Sequence, residues 1–227
     1  MNMGNEKSYD YKLVIIGPPG SGKGTTCELI EEKLSIPHVS TGDMLRSHID
    51  AGDELGKRIK EKVEHGKLIP DEITDEVIKQ RLSQSDVQEK FLLDGFPRDL
   101  EQARFLLRLT NLDGIIIIDL DDEAIVKRLS QRMICSNCDE GYHLTFKPSK
   151  ADGVCDKCGG NLVRRKDDEP EVVRDRLKTY HDTTAQVLEY FENKCIPSLE
   201  IPGDFDLQTE SDQIIDQIVQ WQESLRE

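Results

Sequence analysis

The chain has 227 residues, of which 36% are hydrophobic and 33% are charged, and its formal net charge is −15. This balance indicates a water-soluble globular protein with a full core, and no apolar run approaches the length that spans a bilayer. The negative charge excludes a general nucleic-acid binder, whose surface normally carries the opposite sign. Any phosphate binding must therefore be local, through cations that converge on one site.

The N-terminus and the cysteines bear on the compartment in which the protein works. The first ten residues are polar, and no apolar segment with a cleavage site follows them. We therefore expect no secretory signal, a disordered tail and a cytoplasmic protein. Four of the six cysteines form two C-x-x-C pairs, which in such a compartment favour a metal over disulfides.

A glycine-rich stretch, residues 17–25 (GPPGSGKGT), follows the apolar run 12–16 and precedes a helical pattern over 26–34. Strand, glycine-rich loop and helix in this order are what a phosphate-binding loop requires. Glycines let backbone N–H groups turn toward an anion, and the helix start adds donors and a partial positive charge. Lys23 supplies a full charge. The hydroxyl that usually follows this lysine and faces Mg²⁺ comes one place late, at Thr25, so its magnesium role stays open.

Helical segments follow this loop helix. After an extended piece at 35–40, a helix opens near Thr41, and Thr41 or Asp43 is expected to cap it. Two further amphipathic helices are predicted over 54–65 and 71–82.

The apolar run that begins at Phe91 ends in Asp94, which the pattern places at the carboxyl end of a buried strand. Ligands of open α/β sheets bind at that edge, and a carboxylate there can hold Mg²⁺ through water. The alternative is that Asp94 caps a helix or belongs to a turn. Gly95 and Pro97 predict a tight loop that aims Arg98 at the same edge.

The middle of the chain continues the alternation of helices and strands. A helix is predicted over 101–109, and a strand over 114–120 whose four consecutive isoleucines suit a parallel strand covered on both faces. A helix from Asp122 to Met133 would carry Arg128 and Arg132 on one face, an arrangement that a solvated basic surface would also explain.

The two C-x-x-C pairs lie sixteen residues apart, among glycines that permit turns with positive φ. Four thiolates at this spacing suit a closed tetrahedral Zn²⁺ site, and redox disulfides are the alternative. No position is left for water, so we expect one structural Zn²⁺. The predicted ligands are Cys135, Cys138, Cys155 and Cys158.

Past the cysteines, a long helix is predicted over 170–192, then a strand over 198–201 and a closing helix over 211–225. Arg174 and Arg176 lie near the start of the long helix, where the helix dipole disfavours positive charge. A cation there is tolerated when it pairs with acids or with a ligand.

Four stretches together resemble the adenylate kinase family: GPPGSGKGT at 17–25, STGDMLR at 40–46, LLDGFPR at 92–98 and RKDDEPE at 165–171. The resemblance runs from about residue 11 to the C-terminus, and the four cysteines make the chain similar to the long-lid, zinc-bearing form. Lysine-glycine-threonine in the loop is the usual pattern of that family.

The resemblance implies an α/β fold, a doubly wound five-stranded parallel sheet with a phosphate-binding loop, a helical insert and a small zinc-bearing lid. The core domain would comprise 1–39, 70–130 and 169–227. Residues 40–69 would form the nucleoside monophosphate-binding insert, and residues 131–168 the lid over ATP.

The implied activity is transfer of the γ-phosphoryl group of ATP to AMP, which gives two ADP in a reversible, Mg²⁺-dependent reaction. The implied partners are ATP, AMP and ADP, with no nucleic acid and no membrane, and the protein would be a monomer. Two alternatives stay open: a GTP:AMP phosphotransferase, and a nucleotide-sensing zinc module that binds without turnover.

The family motifs also imply site residues. The ATP site would comprise Gly20, Ser21, Gly22, Lys23, Gly24, Thr25, Arg132, Gly141, Tyr142 and Phe205. The AMP site would comprise Thr41, Arg46, Lys67, Leu68, Ile69, Gly95, Phe96, Pro97, Arg98, Gln102, Arg165 and Arg176. Gln102 would read the adenine edge, and Asp94 would order Mg²⁺ through water. The residues expected to act on the transferred group are Lys23, Arg98, Arg128, Arg132, Arg165 and Arg176.

Phosphoryl transfer needs positioning and charge neutralisation rather than covalent help from the protein, which accounts for the many arginines. The chain departs from the family pattern at few places. Asp99 stands where threonine is more frequent, and Gly141 where a larger residue often precedes the tyrosine. Residues 203–205 have no clear match, so the assignment of Phe205 depends on position alone.

Overall fold

A computed structural model describes residues 10–205 and 207–225; nearly all of the expected N-terminal tail lies outside them. The strands are β1 (Lys12–Ile16), β2 (His38–Ser40), β3 (Phe91–Asp94), β4 (Gly114–Asp119), β5 (Arg132–Cys135), β6 (Gly141–His143), β7 (Leu162–Val163) and β8 (Ser198–Pro202). The helices are α1 (Lys23–Leu34), α2 (Thr41–Ala51), α3 (Glu54–Glu64), α4 (Asp71–Leu82), α5 (Leu100–Leu109), α6 (Asp122–Leu129), α7 (Pro170–Thr179), α8 (Ala185–Asn193) and α9 (Leu207–Ser224).

Five strands form one parallel sheet in the order β2-β3-β1-β4-β8. Parallel neighbours require crossover connections, and helices supply them on both faces of the sheet. The predicted five-stranded parallel sheet is confirmed. Because all five strands run the same way, the loops after β1, β2 and β3 meet at one edge, which places the glycine-rich loop beside Asp94.

The apolar residues of the strands are divided between two core clusters. Ile116 and Ile118 pack on the side of α1 and α9, whereas Ile115 packs on the side of α5 and α8. All three are at most 2% exposed. The isoleucine run of β4 is therefore covered on both faces, as its sequence predicts.

A second, antiparallel sheet of three short strands, in the order β6-β5-β7, lies in the cysteine-bearing segment. The prediction of a helix from Asp122 to Met133 is wrong at this point. The helix ends at Leu129, and Arg132 begins β5, which pairs with a strand on either side. Sheet pairing over this distance is invisible to local helical periodicity, so tertiary contacts override the pattern.

Three smaller predictions also need correction. The side chain of Ser40, rather than Thr41 or Asp43, caps α2 and accepts a hydrogen bond from the Asp43 N–H. The long helix from Pro170 contains a π-helical turn at Tyr180–Thr184. The closing helix begins at Leu207, four residues before the predicted start. None of the described helices combines the length and apolarity of a membrane span.

Gly114 opens β4 at the edge of the sheet opposite the glycine-rich loop, and the Trp221 ring lies where a Cβ would stand. We expect Gly114→Ala to lower the free energy of unfolding by about 1–3 kcal/mol, because overpacking forces the ring to move. Urea denaturation measures this change. Gly141→Ala, whose added methyl group meets nothing within 4 Å, is the matched control. Equal stability of the two variants would contradict the argument.

Candidate functional site

The glycine-rich loop is shaped by two glycines in the left-handed region, Gly20 at φ 83° and Gly22 at φ 105°. A Cβ on Gly20 would lie 2.6 Å from Cγ of Leu129, so no other residue fits there without displacing its neighbour. Gly22 is the N-cap of α1, and no described side chain caps this helix. The first N–H groups of α1 are therefore available to an anion.

Lys23 reaches back across the loop. Its Nζ donates to the carbonyl oxygens of Gly17 and Pro18, each at 2.8 Å. Burial lowers the pKa of Lys23 to about 8. The negative charge of Asp94 raises this pKa, whereas the positive charges of Arg98 and Arg176 lower it. The ammonium group is thus desolvated, and an anionic ligand beside it would favour its charged form.

Asp94 ends β3 beside this loop, where the sequence places it. Burial would raise the pKa of Asp94, but the neighbouring His38 and the charge of Lys23 outweigh it, so the pKa lies below its ordinary value. The carboxylate is therefore ionised at neutral pH. An ionised carboxylate at this edge fits a hydrated Mg²⁺.

A small cavity of about 20 Å³ lies between the starts of α2, α4 and α5. It has room for roughly one water molecule, so a nucleotide base needs these elements to separate. Six of its eight lining residues belong to the predicted AMP site. The lining comprises Thr41, Leu45, Leu68, Ile69, Thr74, Gly95, Arg98 and Gln102. The sequence prediction missed Leu45 and Thr74, because a leucine and a threonine on amphipathic helices carry no ligand signal.

Two buried polar groups of α2 lack hydrogen-bond partners in the described part of the chain, and one of them, Thr41, lines this cavity. The buried Oγ1 of Thr41 and the buried Nε of Arg46 have no hydrogen-bond partner among the described residues. The guanidinium of Arg46 also pairs with Asp43. Buried polar atoms are normally satisfied, so each of these two groups fits contact with a polar ligand.

Gln102 is 2% exposed and its amide is fully engaged. Its Oε1 accepts from the Arg98 N–H at 2.9 Å, and its Nε2 donates to Oδ1 of Asp71 at 2.8 Å. Asp99 caps α5 by accepting from the Gln102 N–H at 3.0 Å, which explains an acid at a position where the family often has threonine. A base edge read by Gln102 would have to replace Asp71 as its partner.

Three of the other predicted AMP-site residues, Phe96, Lys67 and Pro97, contribute no side chain to the cavity. Phe96 is 1% exposed and packs edge-on against Phe105 in the core. Lys67 is exposed, and its backbone N–H donates to the carbonyl oxygen of Lys62. Pro97 is buried beside Phe96 in the loop between β3 and α5.

Three arginines come together beside two acids that the sequence prediction left without roles. Arg132 donates to both carboxylate oxygens of Asp168, which is 1% exposed. Arg176 donates to Oδ2 of Asp167 at 2.8 Å. Burial lowers the pKa of Arg165 and that of Arg176 to about 10, and the charge of Arg132 adds to both shifts. Two acids therefore balance three cations only in part.

Arg128 lies apart from this cluster, although the sequence grouped it with Arg165 and Arg176. Its guanidinium donates to the carbonyl oxygens of Gly203 at 2.7 Å and Ser21 at 3.2 Å. It also stands 5.6 Å from the centre of the Phe146 ring. In the structure Arg128 ties the phosphate loop to the loop after β8, and its expected contact with the transferred phosphoryl group stays a prediction.

Two residues of the expected ATP site contact other groups of the protein in the structure. Tyr142 is 6% exposed; its hydroxyl donates to Sγ of Cys155 and accepts from the Asp156 N–H. Phe205 is partly buried and packs against the hydrophobic core, whereas Gly141 has open space beside it. The nucleotide contacts expected at these three positions stay predictions.

The four predicted zinc ligands form one cluster, with all four sulfur atoms within 4.8 Å of one another. Sγ of Cys135 lies 3.4 Å from that of Cys158, and Sγ of Cys138 lies 3.7 Å from that of Cys155. A tetrahedral Zn²⁺ with bonds of about 2.3 Å holds its sulfurs roughly 3.8 Å apart, so the cluster fits this ion. The first turn bends at Asp139 (φ 56°) instead of at a glycine.

Comparison with known proteins agrees with this geometry. The sequence profile of a family described as adenylate kinase matches residues 15–196. A protein named adenylate kinase from Ruminiclostridium cellulolyticum is 44% identical over 186 residues, which cover 80% of this chain and 87% of the relative. Another of that name, from Fervidobacterium nodosum, is 43% identical over 187 residues, 80% of this chain and 86% of the relative.

Cys155 offers a test of the metal cluster. We expect Cys155→Ser to lose most of its zinc and to melt at least about 5 °C lower, because metal binding contributes folding energy directly. Elemental analysis and calorimetry measure the two effects. Cys195→Ser, which changes an exposed cysteine outside the cluster, is the control. Full zinc content and unchanged melting in Cys155→Ser would show that the cluster is not the zinc site.

Proposed function

Because the chain belongs to the adenylate kinase family, we propose that it transfers the γ-phosphoryl group of ATP to AMP and releases two ADP. One observation supports a reaction between two bound nucleotides. Arg98 lines the cavity at α2 and also acts electrostatically on Lys23 in the phosphate loop. An acceptor in the cavity and a donor on the loop would therefore share one arginine between their phosphates.

The proposed chemistry needs cations around the transferred group more than it needs a nucleophile, because charge spreads over its oxygens in the transition state. Lys23, Arg98, Arg132, Arg165 and Arg176 would provide that charge. Burial lowers the pKa of each of Arg98, Arg165 and Arg176. These desolvated cations act in a low dielectric, where they stabilise a polyanion more strongly than solvated ones.

Asp167 and Asp168 are the proposed positioning residues of this cluster. They hold Arg176 and Arg132 through the hydrogen bonds described above, so both guanidinium groups have fixed places before any phosphate arrives. Such preorganisation avoids the free-energy cost of orienting the groups during the reaction.

Magnesium is the proposed cofactor on the donor side. When bound, the ion would neutralise part of the phosphate charge. The ionised Asp94 would hold it through water, and the partly buried Thr25 at the start of α1 offers a hydroxyl of the loop. The protein contributes a rigid strand end for this contact.

Water is a competing acceptor, so the site must close before transfer. In the structure Nζ of Lys166, at the end of the proposed lid, pairs with Oε1 of Glu64 in α3 at 2.9 Å. This contact joins the proposed lid segment 131–168 to the proposed insert 40–69. The small cavity volume agrees with a closed arrangement that has to open for nucleotide entry.

The competing proposals are a GTP donor and a module that binds nucleotides without turnover. A coupled assay for ADP formation separates them, with ATP or GTP as donor and AMP, CMP, UMP or GMP as acceptor. We expect ATP with AMP to be at least about tenfold faster than any other pair. Equal rates with GTP favour the first alternative, and nucleotide binding without ADP formation favours the second. Light scattering tests the proposed monomer.

Lys23 is expected to be indispensable, since its ammonium group is fixed inside the loop. Lys23→Met should reduce kcat by at least about 10²-fold with the fold retained, because the variant loses one preorganised cation. Lys33→Met, which alters an exposed lysine on the same helix, should keep its rate. Steady-state kinetics and circular dichroism measure both effects. A well-folded Lys23→Met with the parental rate would refute the role.

The pKa of about 8 for Lys23 predicts pH-dependent nucleotide binding. A bound phosphate favours the ammonium form, so binding takes up a proton wherever free Lys23 is neutral. Affinity for ADP should be flat below about pH 8 and should fall by up to tenfold per unit above it. Calorimetry in magnesium-free buffers of differing ionisation enthalpy detects the proton. The same slope in Lys23→Met would contradict this assignment.

A further inference from the structure

Two side chains that the proposed reaction does not use lie beside Asp94. They are the thiol of Cys27 on α1 and the imidazole of His38 on β2. We propose that Cys27, His38 and Asp94 form a second metal site, which takes a thiophilic divalent cation such as Zn²⁺ or Cd²⁺ and blocks the reaction.

The geometry supports three ligands to one ion. One sulfur, one nitrogen and one carboxylate oxygen all lie within 4.8 Å of one another, and Nε2 of His38 is 3.6 Å from Oδ2 of Asp94. Tetrahedral bonds of about 2.0–2.3 Å place ligand atoms roughly 3.3–3.8 Å apart. Side-chain movements of about 1 Å therefore suffice to close the site around an ion.

The imidazole of His38 is the second observation that points to a ligand. Its Nε2 is buried and has no hydrogen-bond partner within 10–205 or 207–225. The backbone N–H of His38 donates to Oε1 of Glu31 at 3.2 Å, which fixes β2 against α1. This nitrogen faces Oδ2 of Asp94 at 3.6 Å, which is an ion-pair distance but too long for a hydrogen bond. A metal ion between the two atoms would be a direct partner for both.

The donor set selects the class of metal. A thiolate and an imidazole suit Zn²⁺ and Cd²⁺, whereas Mg²⁺ requires oxygen ligands in octahedral geometry. The Cys27 thiol would release one proton to solvent on binding, with no change of oxidation state. Three protein ligands leave a fourth position for water or a phosphate oxygen.

The site has a route for the ion and a consequence for activity. Cys27 is fully buried, but the side chains of His38 and Asp94 are 14% and 15% exposed, so an ion can enter from their side. Bound there, it would withdraw Asp94 from magnesium and link α1, β2 and β3 together. The inhibitory consequence rests on the proposed function, but the metal binding itself does not.

Metal counting on the zinc-loaded protein tests the site. After dialysis against excess Cd²⁺, zinc plus cadmium should total two ions per chain in the parent protein. Cys27→Ala and His38→Gln should each bind the second ion at least about tenfold more weakly, since each lacks one ligand. Cys195→Ser, an exposed cysteine outside both clusters, should match the parent. Summing both metals keeps the count valid if cadmium replaces zinc at the four cysteines.

Each outcome decides one part of the inference. A total of one ion in the parent, or a second ion retained in both variants, would overturn the site. If the site binds, Cd²⁺ should inhibit ADP formation by the parent at least about tenfold more strongly than by either variant. Binding with equal inhibition of all proteins would overturn the inhibitory role. If no protein forms ADP, the proposed function fails, and the metal count still decides the site.

Discussion

The structure depends on a concentration of buried positive charge at the carboxyl edge of a parallel sheet. Lysine and arginine side chains from the loop after β1, from α2, from the loop after β3 and from the cysteine-bearing segment and α7 contribute to it. They are Lys23, Arg46, Arg98, Arg132, Arg165 and Arg176. Burial and the neighbouring cations both lower the pKa values of Arg165 and Arg176, so this arrangement opposes folding even in a chain of net charge −15. Four aspartates balance the cluster in part, and phosphates would complete the balance. They are Asp43, Asp94, Asp167 and Asp168.

These crowded cations must be held in place, which explains the small sheet that bears the cysteines. Arg132 lies at one end of that segment and Arg165 at the other, so both need a firm support. The segment has little core of its own, since Leu144 and Phe146 are more than half exposed. A tetrahedral Zn²⁺ at the four sulfur atoms would supply the missing stability. In the proposed function the metal would act on the reaction only through the placement of arginines.

Asp94, at the carboxyl end of β3, belongs to two proposed metal contacts. Asp94 faces Lys23 and the phosphate loop on one side, which suits a hydrated magnesium ion. On the other side it faces Cys27 and His38, a donor set better suited to softer ions. The two proposed metal contacts therefore share one carboxylate, so a softer ion bound with Cys27 and His38 would compete with magnesium for Asp94.

The sequence by itself determined the parts that local patterns encode. The glycine-rich loop, the strand ending in Asp94 and the paired cysteines were predicted from spacing, because those backbone conformations and ligand sets depend on near neighbours. Only the tertiary structure decided which distant groups meet. Arg132 was predicted on one helix face with Arg128, but the helix ends between them and strand pairing separates the two. Packing likewise turned Tyr142 toward the cysteines, and it brought Cys27 and His38 to Asp94. Contacts between remote segments follow from how whole elements pack, and no local periodicity records that arrangement.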